Sequence, residues 1–302
     1  MSEILVRRST VCKDWRHLLT SATFLCRYRA FHGTAPLLGI LFNRFVHDDL
    51  ILLQFVHATP FRSHARLNWY AHDARHSWVL FHVDNGMAMV AWDPVTGEQH
   101  EVPMPDFDFV DWDATDDAWG DMITAEPPLN AYTGMSMAMS PTALVGDTVF
   151  IATCRGMTML VEYDLGRRTL AFIDKLVSQF TDRPVVMSWE GGALGYADIQ
   201  GSNLRVFSKD ARPEGTMAWT QHRVIELNTV PSLNLGSSTC VAGFMEGYGV
   251  IFVSTDTGVF AVTIKSGQIK KVSNSGSIHS IIPYMSFYTP GNFKEPGTAS
   301  ML

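Results

Sequence analysis

The feature that most constrains the fold is a pattern of short β-prone runs separated by tight turns, which recurs four times. The clearest copy lies at residues 239–273, where four runs are separated by the turns GYG, DTG and SGQ. Other copies cover residues 79–103, 143–174 and 185–227. Four-stranded antiparallel units that repeat in this way build β-propellers, because each unit covers the apolar face of its neighbour. The pattern predicts a mainly β chain with an irregular β-propeller-like domain of about five blades.

The turns between the runs carry residues that suit hairpins. Gly191-Gly192 and Gly201-Ser202 tolerate a positive φ, and DPVTGE and KSGQ are strong turn sequences. A β-sandwich remains the alternative fold, but a sandwich has no reason to repeat its strands in sets of four. The propeller also predicts burial at like positions of successive blades for Trp92, Tyr163 and Phe207.

Composition narrows the possible partners. The net charge of -7, from 30 acidic and 23 basic residues, argues against nucleic-acid binding, which needs a basic face. No apolar run approaches the roughly 20 residues that span a bilayer, and no secretory leader is evident. We therefore expect an intracellular protein, cytoplasmic or nuclear or both, with no membrane partner. The four separated cysteines are expected to be free or buried thiols: Cys12, Cys26, Cys154 and Cys240.

The first 32 residues differ from the rest, because they lack Gly and Pro and their apolar residues follow helical spacing. Ser21 is a plausible N-cap, and Phe24, Tyr28 and Phe31 continue an apolar stripe. The segment that starts at Gly33 breaks the helix. The runs PLLGILF and LILLQFVH then predict two strands at the start of the β region.

Two polar clusters are candidate metal sites, and we expect neither to bind metal. His72 and His76 have the i,i+4 spacing of a helical zinc pair, but they lie in an expected loop without a third ligand. Residues 106–121 contain seven aspartates but lack the Gly and Glu positions of an EF-hand loop. This acidic segment is expected to be an exposed, irregular loop, and a site for a basic partner is the alternative.

No motif for catalysis appears in the sequence. The nucleophile elbow, the Walker loop and the Rossmann fingerprint are all absent where their context would be needed. We therefore expect a protein that is not an enzyme, with no catalytic residue, no cofactor and no metal. A propeller hydrolase remains a formal alternative.

The segment at residues 11–42, VCKDWRHLLTSATFLCRYRAFHGTAPLLGILF, resembles the second half of an F-box followed by the first strand of its associated domain. Similar sequences occur in the large F-box families of grasses. Later segments resemble the same family's C-terminal domain, in the expected order: WDPVTGE, LVGDTVF, EYDLGRRTL, WTQHRVIEL, DTGVFAVTIKSG and PYMSFYTP. The resemblance implies a partial helical F-box at residues 1–35 and a β-propeller-like F-box-associated domain at residues 36–302.

The resemblance also implies an activity that neither composition nor spacing shows. An F-box docks on the Skp-type adaptor of a cullin-RING (SCF) ubiquitin ligase, and the associated domain holds a protein substrate. Such a protein raises the effective concentration of a substrate lysine near the ubiquitin-conjugating enzyme. The implied adaptor-binding residues form an apolar helix face, whose alternative role is packing within the chain: Ile4, Leu5, Val11, Trp15, Leu18 and Leu19.

Two departures from the family pattern bear on this expectation. Residues 1–7, MSEILVR, run directly into RSTVCKDW, without the LPDDLLxEILxRLPP-like opening that grips the adaptor. The acidic segment stands where relatives have more strand-forming sequence. We expect the first departure to weaken adaptor binding. The alternative function is a stand-alone interaction domain without ligase coupling.

Overall fold

The computed structural model describes residues 21–47, 50–57, 69–75, 77–83, 88–94, 97–102, 136–137, 141–154, 160–173, 185–211, 217–230, 233, 235–236, 238–274, 276 and 278–287. The chain divides into two compact units. Unit 1 comprises Met1–Leu41, Leu52–Val102 and Pro283–Leu302. Unit 2 comprises Phe42–Ile51 and Pro103–Ile282.

Helix α1 spans Ala22–His32 and has both of the ends that the sequence predicts. The Phe24 amide donates to Ser21 Oγ over 3.3 Å, which is the bond of an N-cap. Gly33 follows the helix with a φ of 64°, a left-handed conformation that glycine adopts without steric cost. Tyr28 stacks on Phe24, with ring centroids 5.9 Å apart, and its ring meets Phe287 edge-on at 6.0 Å. Phe31 is 84% exposed, so the apolar stripe is only partly packed.

Strands β1, Leu37–His47, and β2, Leu50–His57, form where the sequence predicts them. They belong to a three-stranded sheet whose order is β2-β1-β20, where β20 is Ile278–Met285. Asn43 Nδ2 donates to Ser280 Oγ over 2.7 Å, and both side chains are buried.

Unit 1 contains a four-stranded sheet, which we call the first sheet. Its order is β3-β4-β5-β6, and its pairing is antiparallel throughout. Its strands are Tyr70–Arg75, Trp78–Val83, Ala88–Trp92 and Gln99–Val102. The sheet therefore starts one strand earlier than the expected copy at residues 79–103. Strand β3 contains most of HDARH, for which the sequence predicts a loop. A β-bulge between Ala71 and Asp73 breaks the alternation of this strand and hides it from a period-two pattern.

Unit 2 contains three sheets. The second sheet consists of β7 Ser136–Met137, β8 Ala143–Val145, β9 Thr148–Cys154, β10 Leu160–Asp164 and β11 Thr169–Ile173. The third consists of β12 Val185–Trp189, β13 Ala193–Gln200, β14 Asn203–Ala211 and β15 Met217–Glu226. The fourth consists of β16 Cys240–Met245, β17 Val250–Thr255, β18 Gly258–Thr263 and β19 Ile269–Ser273. The third and fourth are antiparallel meanders of four strands, as their repeats predict.

The three sheets of unit 2 pack in series, with the third sheet in the middle. One face of the third sheet, including Val206 and Ile199, packs on Phe260 and Val253 of the fourth sheet. The opposite face packs on the second sheet in a separate cluster. A sandwich contains only two sheets face to face, so this arrangement contradicts the alternative fold and confirms the prediction of successive propeller blades.

The fold class is therefore that of an irregular β-propeller. The described residues form five sheets, mainly antiparallel and four-stranded. Apart from α1, their helical structure is limited to 3-10 turns at Glu190–Gly192 and Leu227–Thr229. None of the helices in this part of the chain is long and apolar enough to cross a membrane.

The expectation of equivalent buried aromatic residues is correct for two of three positions. Trp92 and Phe207 are buried, and each lies in the third strand of its sheet. Tyr163, in strand β10 of the second sheet, is only half-buried. The turn after Trp92 is itself covered, because Asp93 is 5% exposed, whereas the turn after Tyr163 carries Leu165, which is 48% exposed.

Candidate binding surface on the first sheet

Several residues that the sequence singles out lie outside the described residues. They include the whole implied adaptor-binding set at residues 4–19, as well as His76, Cys12 and the acidic segment at residues 106–121. Adaptor binding and the character of the acidic segment therefore stay predictions. Of the other cysteines, neither Cys26 nor Cys240 forms a disulfide with another described residue.

The two faces of the first sheet differ in how deeply their side chains are buried. Strand β4 alternates between half-buried and buried side chains along its whole length. Its buried face carries Val79, Phe81 and Val83, which continue into Val90 and Trp92 of β5. The other face is less covered, and we call it the histidine face. Tyr70 on this face is buried and His100 is exposed, and its half-buried residues are His72, Asp73, Arg75, Trp78, Leu80, His82 and Met89.

Two imidazole rings meet at the centre of the histidine face. His72 is the extra residue of the bulge in β3, and a bulge re-aims the side chain that it carries. His72 Nε2 lies 3.0 Å from His82 Nδ1, and the ring centroids are 4.8 Å apart. Burial lowers the pKa of His72 to about 4, with a further lowering from His82 and an opposing effect from Asp73. His72 is therefore neutral at pH 7.

The Asp73 carboxylate beside this pair already accepts two hydrogen bonds. Asp73 accepts a hydrogen bond from Arg75 Nε at 2.9 Å and another from the Ala74 amide at 2.8 Å. These two donors hold the carboxylate on its own strand. By contrast, His82 Nε2 is buried and has no hydrogen-bond partner in the described structure.

The border of the histidine face is aromatic. The Trp78 ring lies 5.1 Å from the His100 ring, whose Nε2 is 3.6 Å from Glu98 Oε1. Tryptophan and arginine are enriched where protein surfaces bind partners, because each supplies a large contact area together with a polar group. Trp78 and Arg75 occupy opposite positions of the β3–β4 register on this face. The histidine face thus carries residue types that suit binding to a partner.

The expectation that HDARH is a loop is wrong for His72. His72 lies on strand β3 and contacts His82 from the next strand, and His76 lies outside the described residues. Within the described ranges, no three histidine, cysteine, aspartate or glutamate side chains are grouped as metal ligands. Sequence reasoning missed His82, although its position in WVLFHV, two residues after Leu80, placed it on the polar side of an alternating strand.

One serine–histidine contact bears on the hydrolase alternative. Ser208 Oγ lies 2.6 Å from His222 Nε2, and the His222 ring stacks near Trp189, with centroids 5.4 Å apart. Ser208 is fully buried between β13 and β15. A serine nucleophile must reach a substrate carbonyl, so this serine is placed to link strands, not to attack a substrate.

Comparisons with known proteins identify no family. No family model matches the chain, and no curated protein matches it. Solved structures match at low identity. The extracellular domain of BT4673 from B. thetaiotaomicron is 12% identical, with 81% of this chain and 30% of that chain covered and a TM-score of 0.34.

Two shorter structures are covered almost completely. A chain of a nidogen/laminin complex is 9% identical, with 81% of this chain and 97% of that chain covered and a TM-score of 0.41. A protein from Lactobacillus plantarum is 9% identical, with 82% and 99% covered and a TM-score of 0.38. This chain thus spans about a third of the length of BT4673's domain but nearly all of the other two. No function follows from likenesses at this level.

Proposed function

We propose that this chain is a substrate-recruiting F-box-type adaptor of an SCF ubiquitin ligase. The β-propeller fold supports the general part of this proposal, because propellers present broad surfaces that bind other proteins. The specific part rests on one observation, the segment VCKDWRHLLTSATFLCRYRAFHGTAPLLG, in which the F-box-like pattern runs directly into the first strand. Its second half has the expected structure: a capped helix over Ala22–His32, a glycine break and a strand from Leu37.

In this proposal, different parts of the chain bind the adaptor and the substrate. The N-terminal apolar set that includes Trp15 and Leu18 contacts a Skp-type adaptor, and the β region holds a protein substrate. The histidine face is the proposed substrate-binding surface, since Trp78 and Arg75 supply an aromatic contact and a cation there. The chain supplies no chemistry of its own, and ubiquitin transfer is accelerated because the substrate lysine is held at high local concentration.

The test is a titration of a purified Skp-type adaptor against the full chain. We expect measurable binding, at least tenfold weaker than that of an intact F-box, since part of the apolar contact is missing. Trp15→Ala should abolish the remaining binding. Phe31→Ala is the matched control, because it also removes an aromatic ring from the N-terminal region but lies on an exposed part of α1, and it should leave the affinity unchanged. Equal affinities for Trp15→Ala and the unchanged chain would contradict the proposal.

A second candidate function is a stand-alone interaction domain without ligase coupling. The packing of α1 favours it, because Tyr28 meets Phe287 near the end of β20, and both residues belong to unit 1. A helix used to complete the β region is less available for a separate partner. Complete absence of adaptor binding, together with normal folding of the chain, would decide for this second function.

A further inference from the structure

We propose that His72 and His82 form an acid-sensitive link that holds strands β3 and β4 together only while both imidazoles are neutral. The proposal concerns the folding of the hairpin itself and does not depend on the proposed function. It starts from the 3.0 Å contact between His72 Nε2 and His82 Nδ1 at the bulge. In a hydrogen bond between two imidazoles, one nitrogen must donate and the other must accept.

The surroundings of His82 select one direction for this bond. If His72 Nε2 donated, the proton of neutral His82 would sit on Nε2, which is buried and has no partner in the described structure. A buried N–H without an acceptor is more costly than a bare lone pair. The structure therefore assigns the donor role to His82 Nδ1 and the acceptor role to His72 Nε2.

Neither imidazole ring can then take a second proton without loss. A proton on His72 Nε2 removes the acceptor and brings two N–H groups face to face. A proton on His82 Nε2 creates a buried donor with no acceptor and places a charge beside the other ring. Protonation of either ring thus breaks the link or leaves an unsatisfied group.

The other groups around the pair do not offset this effect. On β3, Asp73 favours a charged His72, but its carboxylate is held by Arg75, which contributes an opposing positive charge. Tyr70 packs its ring against His72 at 4.9 Å and is uncharged near neutral pH. From β5, Met89 lies opposite His82 in the register and carries no charge. From β6, His100 faces Trp78, and its Nε2 lies 3.6 Å from Glu98 Oε1.

The sign of the pH effect follows from this arrangement. The pKa of His72 is lowered from 6.5 to about 4 by burial and by His82, so the open hairpin binds a proton that the closed hairpin does not. Acid therefore favours opening. Between pH 7.5 and pH 5.0 the opening equilibrium of the β3–β4 hairpin should increase about 30-fold.

The experiment is amide hydrogen exchange of the full chain at pH 7.5 and pH 5.0, corrected for the intrinsic exchange rate. We expect the protection of β3 and β4 amides to fall about 30-fold, while the protection of β13 and β14 amides in the same sample stays constant. His72→Gln places a non-titrating amide near the Nε2 position and should remove the pH dependence. His82→Asn leaves the burial of His72 in place, so it should reduce the pH dependence without removing it. His100→Gln is the matched control on the same sheet and should retain it.

Two results would overturn the proposal. One is equal protection of the hairpin at the two pH values in the unchanged chain. The other is an imidazole titration of His72, followed by NMR in the unchanged chain, with a midpoint at or above pH 6. The second measurement requires no substitution, so a variant that fails to fold does not leave the proposal undecided.

Discussion

The first and third sheets have the same strand order but differ in how they are covered. Strand β13 of the third sheet is buried from Leu194 to Ile199, whereas β4 of the first sheet is buried only at every second residue. A sheet that is covered on both faces must satisfy most of its polar groups within the protein. A sheet with one half-covered face can keep polar groups that serve other purposes, such as binding.

The polar groups of the two sheets illustrate this difference. In the third sheet, Asp198 is 1% exposed and is held by Arg205 through two hydrogen bonds of 2.9 and 2.7 Å. Gln200 accepts a further bond from Arg205 at 2.6 Å. In the first sheet, His82 keeps one buried nitrogen without a partner in the described structure. The Asp198–Arg205–Gln200 group is therefore a satisfied structural network, whereas His82 belongs to the candidate binding surface.

The largest effect is expected from breaking the ion pair of the third sheet. Arg205→Met leaves the Asp198 carboxylate buried and unpaired, which should cost about 3–5 kcal/mol in the free energy of unfolding, measured with urea. Arg167→Met is the matched control, because its pair with Asp164 spans 3.8 Å and the arginine is exposed. The control should change stability by about 0.5 kcal/mol or less. Similar losses in both variants would show that burial does not distinguish the two pairs.

A smaller effect should separate the covered and half-covered faces. Leu204→Ala in the third sheet removes a fully buried side chain and should cost about 3 kcal/mol of unfolding free energy. Leu80→Ala on the histidine face should cost about 1 kcal/mol, because the side chain already has contact with solvent. Urea denaturation of both variants tests the comparison. If Leu80→Ala costs as much as Leu204→Ala, the histidine face is covered and is not a binding surface.

The smallest effect concerns two buried tyrosines. Tyr196 has a buried hydroxyl without a partner in the described structure, so Tyr196→Phe should be neutral or stabilise the protein by about 1 kcal/mol. In unit 1, the Tyr284 hydroxyl donates to the Ser77 carbonyl at 3.2 Å, and burial raises the pKa of Tyr284. Tyr284→Phe should therefore destabilise by about 1 kcal/mol. Thermal unfolding measures the melting temperature of each variant. A shift of both melting temperatures in the same direction would contradict this account.

Local signals in the sequence were sufficient for much of the fold. The cap at Ser21 and the break at Gly33 fixed both ends of α1, since both depend on neighbouring residues only. The turn at Asp93 is equally local, and the structure closes it with a hydrogen bond of 2.8 Å from the Gly97 amide to the Asp93 carbonyl. The four runs at residues 239–273 became the four strands of the fourth sheet for the same reason.

What the sequence did not reveal depends on contacts between distant or irregular positions. The bulge at His72 shifts the register of β3 by one residue, so neither the strand nor its contact with His82 follows a simple periodicity. The pairing of β20 with β1 joins segments at opposite ends of the chain, and no local pattern encodes it. The partial exposure of Tyr163 depends on how the following turn is covered, which a repeat alignment cannot show.

The pairing of β1 with β20 also has a consequence for the order of events during synthesis. The buried bond between Asn43 and Ser280 spans 237 positions, whereas the strands of the third and fourth sheets pair with their immediate neighbours. Contacts between distant positions form slowly because a long loop must close first. On the ribosome, β1 emerges before β20 and can pair with it only after the residues between them have been translated. The apolar side chains of β1, such as Leu41 and Phe42, are therefore not yet covered by β20 while the later meanders fold. Chaperones would act on this chain during that interval.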